Sequence, residues 1–320
     1  MAVFTDVSPD DARALIAPLG IGTLTSLRGI KAGIENSNYF LDTDRGRWVL
    51  TIFERLSFDE LPFYLELMRH LARRGLPVPE PQARRDDSLL HTLHGKPCAV
   101  VNKLAGAHVM SPNEHHCAQL GKLLARLHLQ AQDVERTQPN LRGLAWWTDV
   151  VPQVAPFLSV EQRRCIQDEL AFQHHVASSP SAHALPRGAV HGDLFRDNAM
   201  FEGPVGQEQL TGVFDFYFAG VDTFIYDMAV CINDWCIDVD SGRLIEARAI
   251  ALVGGYESVR ALDGNEHRML PAALRAAALR FWTSRLWDLH LPREAKLLVP
   301  HDPTHFERVL RARIQNPWHA

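Results

Sequence analysis

Apolar and polar positions alternate along residues 38–53 and then give way to a helical period. NYFLDT (38–43) and RWVLTIF (47–53) read as two strands joined by the turn Asp44-Arg45-Gly46. Upstream, Leu15, Ile16 and Leu19 share one face of a helix over residues 8–19; Ser8 can cap it and Pro9 suits its first turn. Downstream, FDELPFYLELMRHLARRG (58–75) repeats Leu61, Tyr64, Leu65, Met68 and Leu71 at helical spacing, and Gly75 stops it. The prolines of LPVPEP break regular structure, and two short strands follow over 89–93 and 97–104.

Beyond Gly106 the pattern turns helical. Ser111-Pro112-Asn113-Glu114 has the form of a capping box with proline at the first helical position. The helix it opens carries Cys117, Leu120, Leu124 and Leu127 on one face, and residues 160–178 and 221–320 are again mostly helical by period. One hairpin interrupts them: AMF (199–201), the turn GPVG (203–206), then LTGVFDF (210–216). There is no internal repeat and no low-complexity tract. The outline is α+β, with a small antiparallel β-rich lobe over 1–103 and a larger, mainly helical lobe over 104–320. A ligand cleft is expected at the seam.

Composition narrows this outline. A chain of 320 residues can hold two sub-domains, and 46% hydrophobic with 22% charged residues suits a globular protein in water. A net charge of −5 argues against broad nucleic-acid binding. No apolar run approaches the ~18 residues that cross a bilayer, and MAVFTDVSPDDARAL lacks the basic start and apolar core of a secretion signal. The five cysteines are odd in number and match no zinc spacing, so they read as free, buried thiols in a reducing compartment. A cytoplasmic protein with neither membrane nor nucleic-acid partners is expected.

The hairpin places candidate chemistry. Asn198 starts its first strand and Asp215 ends its second, while Asp193 lies on the loop that enters the same end. Magnesium takes hard oxygen ligands, usually one or two carboxylates, and leaves room for phosphates. Asn198 and Asp215 can hold such an ion, and Asp193 is then left to orient a hydroxyl and accept its proton. A polar hairpin end facing water is the alternative; the convergence of three such groups weighs against it.

HGDLFRDN (191–198) has the form His-Gly-Asp-x-x-x-x-Asn, and VFDF (213–216) is its partner aspartate strand. Together they resemble the aminoglycoside-phosphotransferase-like branch of the protein-kinase-like fold, which phosphorylates small-molecule hydroxyls with ATP and Mg2+. The resemblance implies a two-lobed kinase fold, Asp193 as catalytic base, and Asn198 and Asp215 as magnesium ligands. GIENSNYFL (33–41), RWVLTIFE (47–54), LARRGLPVPEP (71–81) and residues 281–310 are similar to the bacterial homoserine kinases of this fold, which implies L-homoserine as acceptor and a place in threonine biosynthesis. Choline, a sugar or an aminoglycoside are other acceptors for the same chemistry.

GIKAGIENSN (29–38) then stands where a loop covers the nucleotide phosphates, with Gly29, Gly33, Asn36 and Asn38 as nucleotide contacts. Kinases of this architecture carry a lysine in the third strand; here Thr51 takes its place. That departure opens the reading of a catalytically impaired nucleotide-binding module, leaves Glu66 without an obvious cation, and makes Lys31 a candidate substitute. Asp227 is expected to hydrogen-bond the catalytic-loop backbone, and His191 to pack under that loop. Glu114-His115-His116 reads as a solvated face, because neighbours on a helix point apart. Trp146, Trp147, Trp282 and Trp287 read as core. An amino-acid acceptor needs partners for an ammonium and a carboxylate, and Arg196, Asp234 and Arg285 are the candidates.

Overall fold

The computed structural model describes residues 5–30, 36–291 and 301–320. Strands β1 (Leu24–Gly29), β2 (Asn36–Thr43), β3 (Gly46–Phe53), β4 (His91–Leu93) and β5 (Lys96–Asn102) form one antiparallel sheet in the order β1-β2-β3-β5-β4. Period two gives the sheet two apolar faces. Tyr39, Leu41, Leu50 and Ile52 meet Ala12, Leu15 and Ile16 of α1 (Pro9–Ile16), which Ser8 caps as expected. Phe53, Ala99 and Val101 turn the other way. They join α2 (Pro62–Arg73) and the helices that follow in one continuous core. Each fully buried leucine or isoleucine here contributes roughly 1.5–3 kcal/mol.

β1 differs from the sequence expectation. None of its six residues is buried, and its register with β2 slips between Leu24 and Ser26. An edge strand without a buried face leaves no alternating signal to read. Gly29 accordingly closes a strand, opposite Tyr39, instead of standing in a loop before the first one. Gly33 and Lys31 lie outside the described residues.

The rest is helical: α3 (Glu114–Gln130), α4 (Leu144–Val154), α5 (Val160–Ala177), α6 (Pro180–His183), α7 (Phe224–Trp235), α8 (Glu246–Glu257), α9 (Gly264–His290) and α10 (Thr304–Gln315). The cap of α3 is Asn113, not Ser111. Asn113 accepts from the His116 amide while the His116 ring accepts from the Asn113 amide, both at 3.1 Å, so Pro112 lies outside the helix. The solvated-face reading fails for His116 for the same reason. Its ring is buried beside Phe201 and 3.0 Å from Glu208. All five cysteines are free; four are buried and Cys165 is half-buried.

Two short antiparallel pairs are set among the helices: β6 (Arg187–Val190) with β9 (Gly220–Thr223), and β7 (Ala199–Glu202) with β8 (Gln209–Val213). The β7–β8 hairpin docks on the segment linking sheet and helices. Ala107 and Phe201 exchange both backbone hydrogen bonds at 2.9 and 2.8 Å, and the Val213 amide donates to the Pro77 carbonyl at 2.9 Å. The approach is close enough that a Cβ at Gly106, which has φ +95°, would sit 2.4 Å from the Phe201 carbonyl oxygen. The hairpin is thereby fixed to the connections between the sheet and the helices. Among the described residues no helix is long and apolar enough to cross a membrane.

Candidate active site

The loop from β6 to β7 is held from below by one buried carboxylate. Asp227, in the first turn of α7, accepts the His191 amide on Oδ2 and the Gly192 amide on Oδ1, each at 2.8 Å, and His128 Nε2 on Oδ2 at 3.0 Å. Burial alone would raise its pKa. The hydrogen bond and charge of His128, with His191 and the Gly192 amide, hold it below the usual carboxylate range. Gly192 has φ +75°, and a Cβ there would stand 2.7 Å from the Phe218 carbonyl, so the chain can make this turn only with glycine.

His191 is fully buried and ties the loop to the hairpin. Its Nε2 is 3.0 Å from the Phe214 carbonyl, which can only accept, so Nε2 carries the proton. Nδ1 is then the acceptor for the Asp193 amide at 3.3 Å. Burial pushes this imidazole's pKa down and keeps it neutral. The expected packing under the loop is what the structure contains.

Asp193, Asn198 and Asp215 are brought together through their backbones. The Asp193 carbonyl accepts the Phe195 amide and Asn198 Nδ2, both at 2.8 Å. The Asn198 carbonyl accepts the Phe214 amide at 3.0 Å, which carries the pairing one step past Ala199 opposite Val213. Asp215 therefore follows the end of β8 by two residues. At φ +66° it adopts a left-handed conformation uncommon for a residue with a Cβ. Because Nδ2 of Asn198 is spent on the Asp193 carbonyl, its Oδ1 faces the other way. One amide oxygen and one carboxylate suit a hard cation whose other ligands are phosphates and water. Among the described residues there is no cluster of three or more His, Cys, Asp or Glu fit to hold a metal by itself.

On the sheet side, Thr51 stands opposite Asn38 and its hydroxyl donates to Asn38 Oδ1 at 2.8 Å. The Tyr217 ring sits edge-on to Phe53 at 4.9 Å and to Tyr64 at 5.9 Å. Position 51 is thus neutral, and its hydroxyl proton is spent on β2. Glu66 does have a cation, Arg136 at 3.0 Å, on the surface. Asn36 begins β2, and its carbonyl lies 3.5 Å from Asn38 Nδ2.

The acceptor candidates are placed as follows. Arg196 holds Asp234 through Nε at 3.0 Å and Nη2 at 3.1 Å; its amide also donates to Asp234 at 2.9 Å, and Nη1 donates to the Met110 carbonyl at 2.9 Å. These two side chains spend their charges on each other and brace the loop. Arg285 donates to the Asp302 carbonyl at 3.0 Å and lies over Phe306 at 4.5 Å. Burial lowers its pKa to about 10, against the pull of Asp234, Asp302, Asp193 and Asp197.

Sequence reasoning missed two arginines. Arg280 of α9, with only 4% of its side chain exposed, reaches Asp193 Oδ1 with Nη1 at 3.4 Å and stacks on Phe281 at 3.7 Å. Arg142 lies between Trp146 at 4.6 Å and Trp287 at 4.9 Å. Both arginines border the ring of Phe218, at 4.9 and 5.9 Å. Trp147 and Trp282 are core, as expected; Trp146 and Trp287 are half-buried and clasp Arg142. A signal for Arg280 did exist: a lone charge inside the apolar run AAALRFW.

The profile of the phosphotransferase enzyme family matches residues 26–262. The chain is 58% identical over 318 residues to a homoserine kinase of Polaromonas naphthalenivorans (strain CJ2), covering 99% of each. It is 53% identical over 318 residues to a homoserine kinase of Cupriavidus pinatubonensis (strain JMP 134 / LMG 1197), covering 98% of this chain and 96% of that one. Among solved structures, amicoumacin kinase hAmiN in complex with AMP-PNP, Ca2+ and Ami has the same fold. Its TM-score is 0.66 at 16% identity, over 93% of this chain and 90% of that one.

Proposed function

The chain belongs to the phosphotransferase enzyme family, and on that premise we infer that it is an ATP-dependent homoserine kinase. It transfers the γ-phosphoryl group to the side-chain hydroxyl of L-homoserine and so serves threonine biosynthesis. The acceptor rests on identity above half along nearly the whole chain to homoserine kinases. The chemistry rests on one observation: the Asp227 clamp on the His191 and Gly192 amides, which fixes the backbone just before Asp193.

Asp193 orients the acceptor hydroxyl and takes its proton as the oxygen bonds to the γ-phosphorus; the bond to the β–γ bridging oxygen breaks and ADP leaves. Asn198 Oδ1 and Asp215 would hold Mg2+, which when bound offsets phosphate charge. The lobe over 1–103 takes the nucleotide, with Gly29, Asn36, Asn38 and Thr51 on that side. Arg196 and Asp234 then act as braces of the loop, while Arg285 remains a candidate for the acceptor. A cytoplasmic location accords with work on small polar metabolites.

A competition assay tests this reading, with purified protein, ATP, Mg2+, homoserine, choline and an aminoglycoside. The highest kcat/KM is expected for homoserine. Faster phosphorylation of choline or the aminoglycoside would overturn the acceptor. No turnover of any acceptor would favour the impaired module that Thr51 brings to mind.

A further inference from the structure

We propose that Arg280 receives the carboxylate of the acceptor, and that it, rather than Arg196 or Arg285, makes this active site select an amino acid over a plain amino alcohol. The inference rests on the homoserine reading above and deepens it.

Arg280 lies among Ala276, Ala277 and Thr283 on the buried face of α9. A charge carried into a core is costly unless it is paired and its donors are used. Its ion pair with Asp193 is long, 3.4 Å, and its buried Nε has no hydrogen-bond partner among the described residues. The guanidinium lies over the rings of Phe281 at 3.7 Å and Phe218 at 4.9 Å, so its N–H groups act in its own plane, with Nη1 toward Asp193. Arg142, clasped by Trp146 and Trp287, borders the same Phe218 ring. Two guanidiniums thus flank one aromatic ring on the helical-lobe side of Asp193. Asn198 and Asp215 flank the hairpin that docks at Ala107 and Pro77.

The geometry points to an anion carried by the acceptor. In homoserine the carboxyl carbon is about 5 Å from the hydroxyl oxygen when extended. A hydroxyl hydrogen-bonded to Asp193 therefore leaves the carboxylate within reach of Arg280. A planar guanidinium takes a carboxylate through two parallel bonds, here from its terminal nitrogens.

The test compares homoserine with 3-aminopropan-1-ol, which is homoserine without its carboxylate, in the wild type, Arg280→Gln and Arg280→Lys. Any effect of the substitution on Asp193 falls on both acceptors and cancels in the ratio of their kcat/KM values. The ratio is expected to fall by about thirtyfold or more in Arg280→Gln, the loss of a desolvated charge contact. Arg280→Lys, which keeps the charge and loses the fork, should fall between. AMP-PNP binding by each variant shows that it is folded. A parallel loss for both acceptors, or an unmoved ratio with active enzyme, would overturn the proposal alone. Wild-type protein inactive on homoserine would sink the acceptor assignment itself, and the carboxylate reading with it.

Discussion

Replacing Asp227 by asparagine tests what holds the catalytic loop. The carboxylate is fully buried and accepts three donors, the His191 and Gly192 amides and His128 Nε2, at 2.8–3.0 Å. An asparagine has one acceptor oxygen. Its cheaper orientation keeps that oxygen on the His191 amide and His128 and turns its NH2 against the Gly192 N–H, donor against donor. One charge-assisted bond is lost, about 1.5–3 kcal/mol, and one buried amide is left unsatisfied, about 1–3 kcal/mol. The two surviving bonds also weaken when the charge goes. A loss of about 3–5 kcal/mol is expected, a large part of the 5–15 kcal/mol typical of a folded protein. Asp193 is next to the released amide, and a misplacement of ~1 Å costs about a hundredfold in rate. Urea denaturation, hydrogen exchange at the His191 and Gly192 amides, and kcat under conditions where the variant is folded would measure these effects. Stability within about 1 kcal/mol of wild type, with both amides still protected and kcat unchanged, would show that His191 on the Phe214 carbonyl suffices and that the clamp reading is wrong.

Three further outcomes follow from the same geometry. Asp193→Asn should lower kcat by about 10²–10⁴ while AMP-PNP affinity changes little; near-normal turnover by the folded variant would remove Asp193 from the role of base. Asp215→Ala should raise the Mg2+ concentration needed for half-maximal activity at least tenfold, the worth of about one charge-assisted contact, and an unchanged magnesium dependence would mean the ligand pair is misassigned. The third concerns pH. Burial lowers the pKa of His91 and His191 in the folded chain, whereas in the unfolded chain each titrates near ~6.5. Below that value the unfolded state binds more protons, so stability should fall on acidification from pH ~7 to ~5, by at most about 1.4 kcal/mol per pH unit for each histidine. A urea midpoint that rises over this interval would contradict the neutral, buried state of both rings.

What could be read from the sequence depended on how far apart along the chain the interacting groups lie. The hairpin and its motif were legible because turn signals and strand pattern between Asn198 and Asp215 are local. The Asp227 clamp was legible only through resemblance, since its partners are 35 and 36 residues away. β1 escaped because an edge strand with no buried residue has no period. The α3 cap shifted because a histidine ring at the third position completed the box, a role usually filled by Glu or Gln. The pairing of the acceptor candidates escaped for a different reason. Charge type says which groups are present and not which are already spent: Arg196 and Asp234 looked available and are bonded to each other across 38 positions. Arg280 stood out only as a lone charge in an apolar run, yet it reaches Asp193 across 87 positions and leaves a buried Nε unused. Burying a guanidinium is costly, and one ion pair at 3.4 Å beside two aromatic rings offsets only part of that. A charge kept on the buried face of α9 under those terms is better accounted for by a group that arrives with the substrate than by what the folded chain supplies.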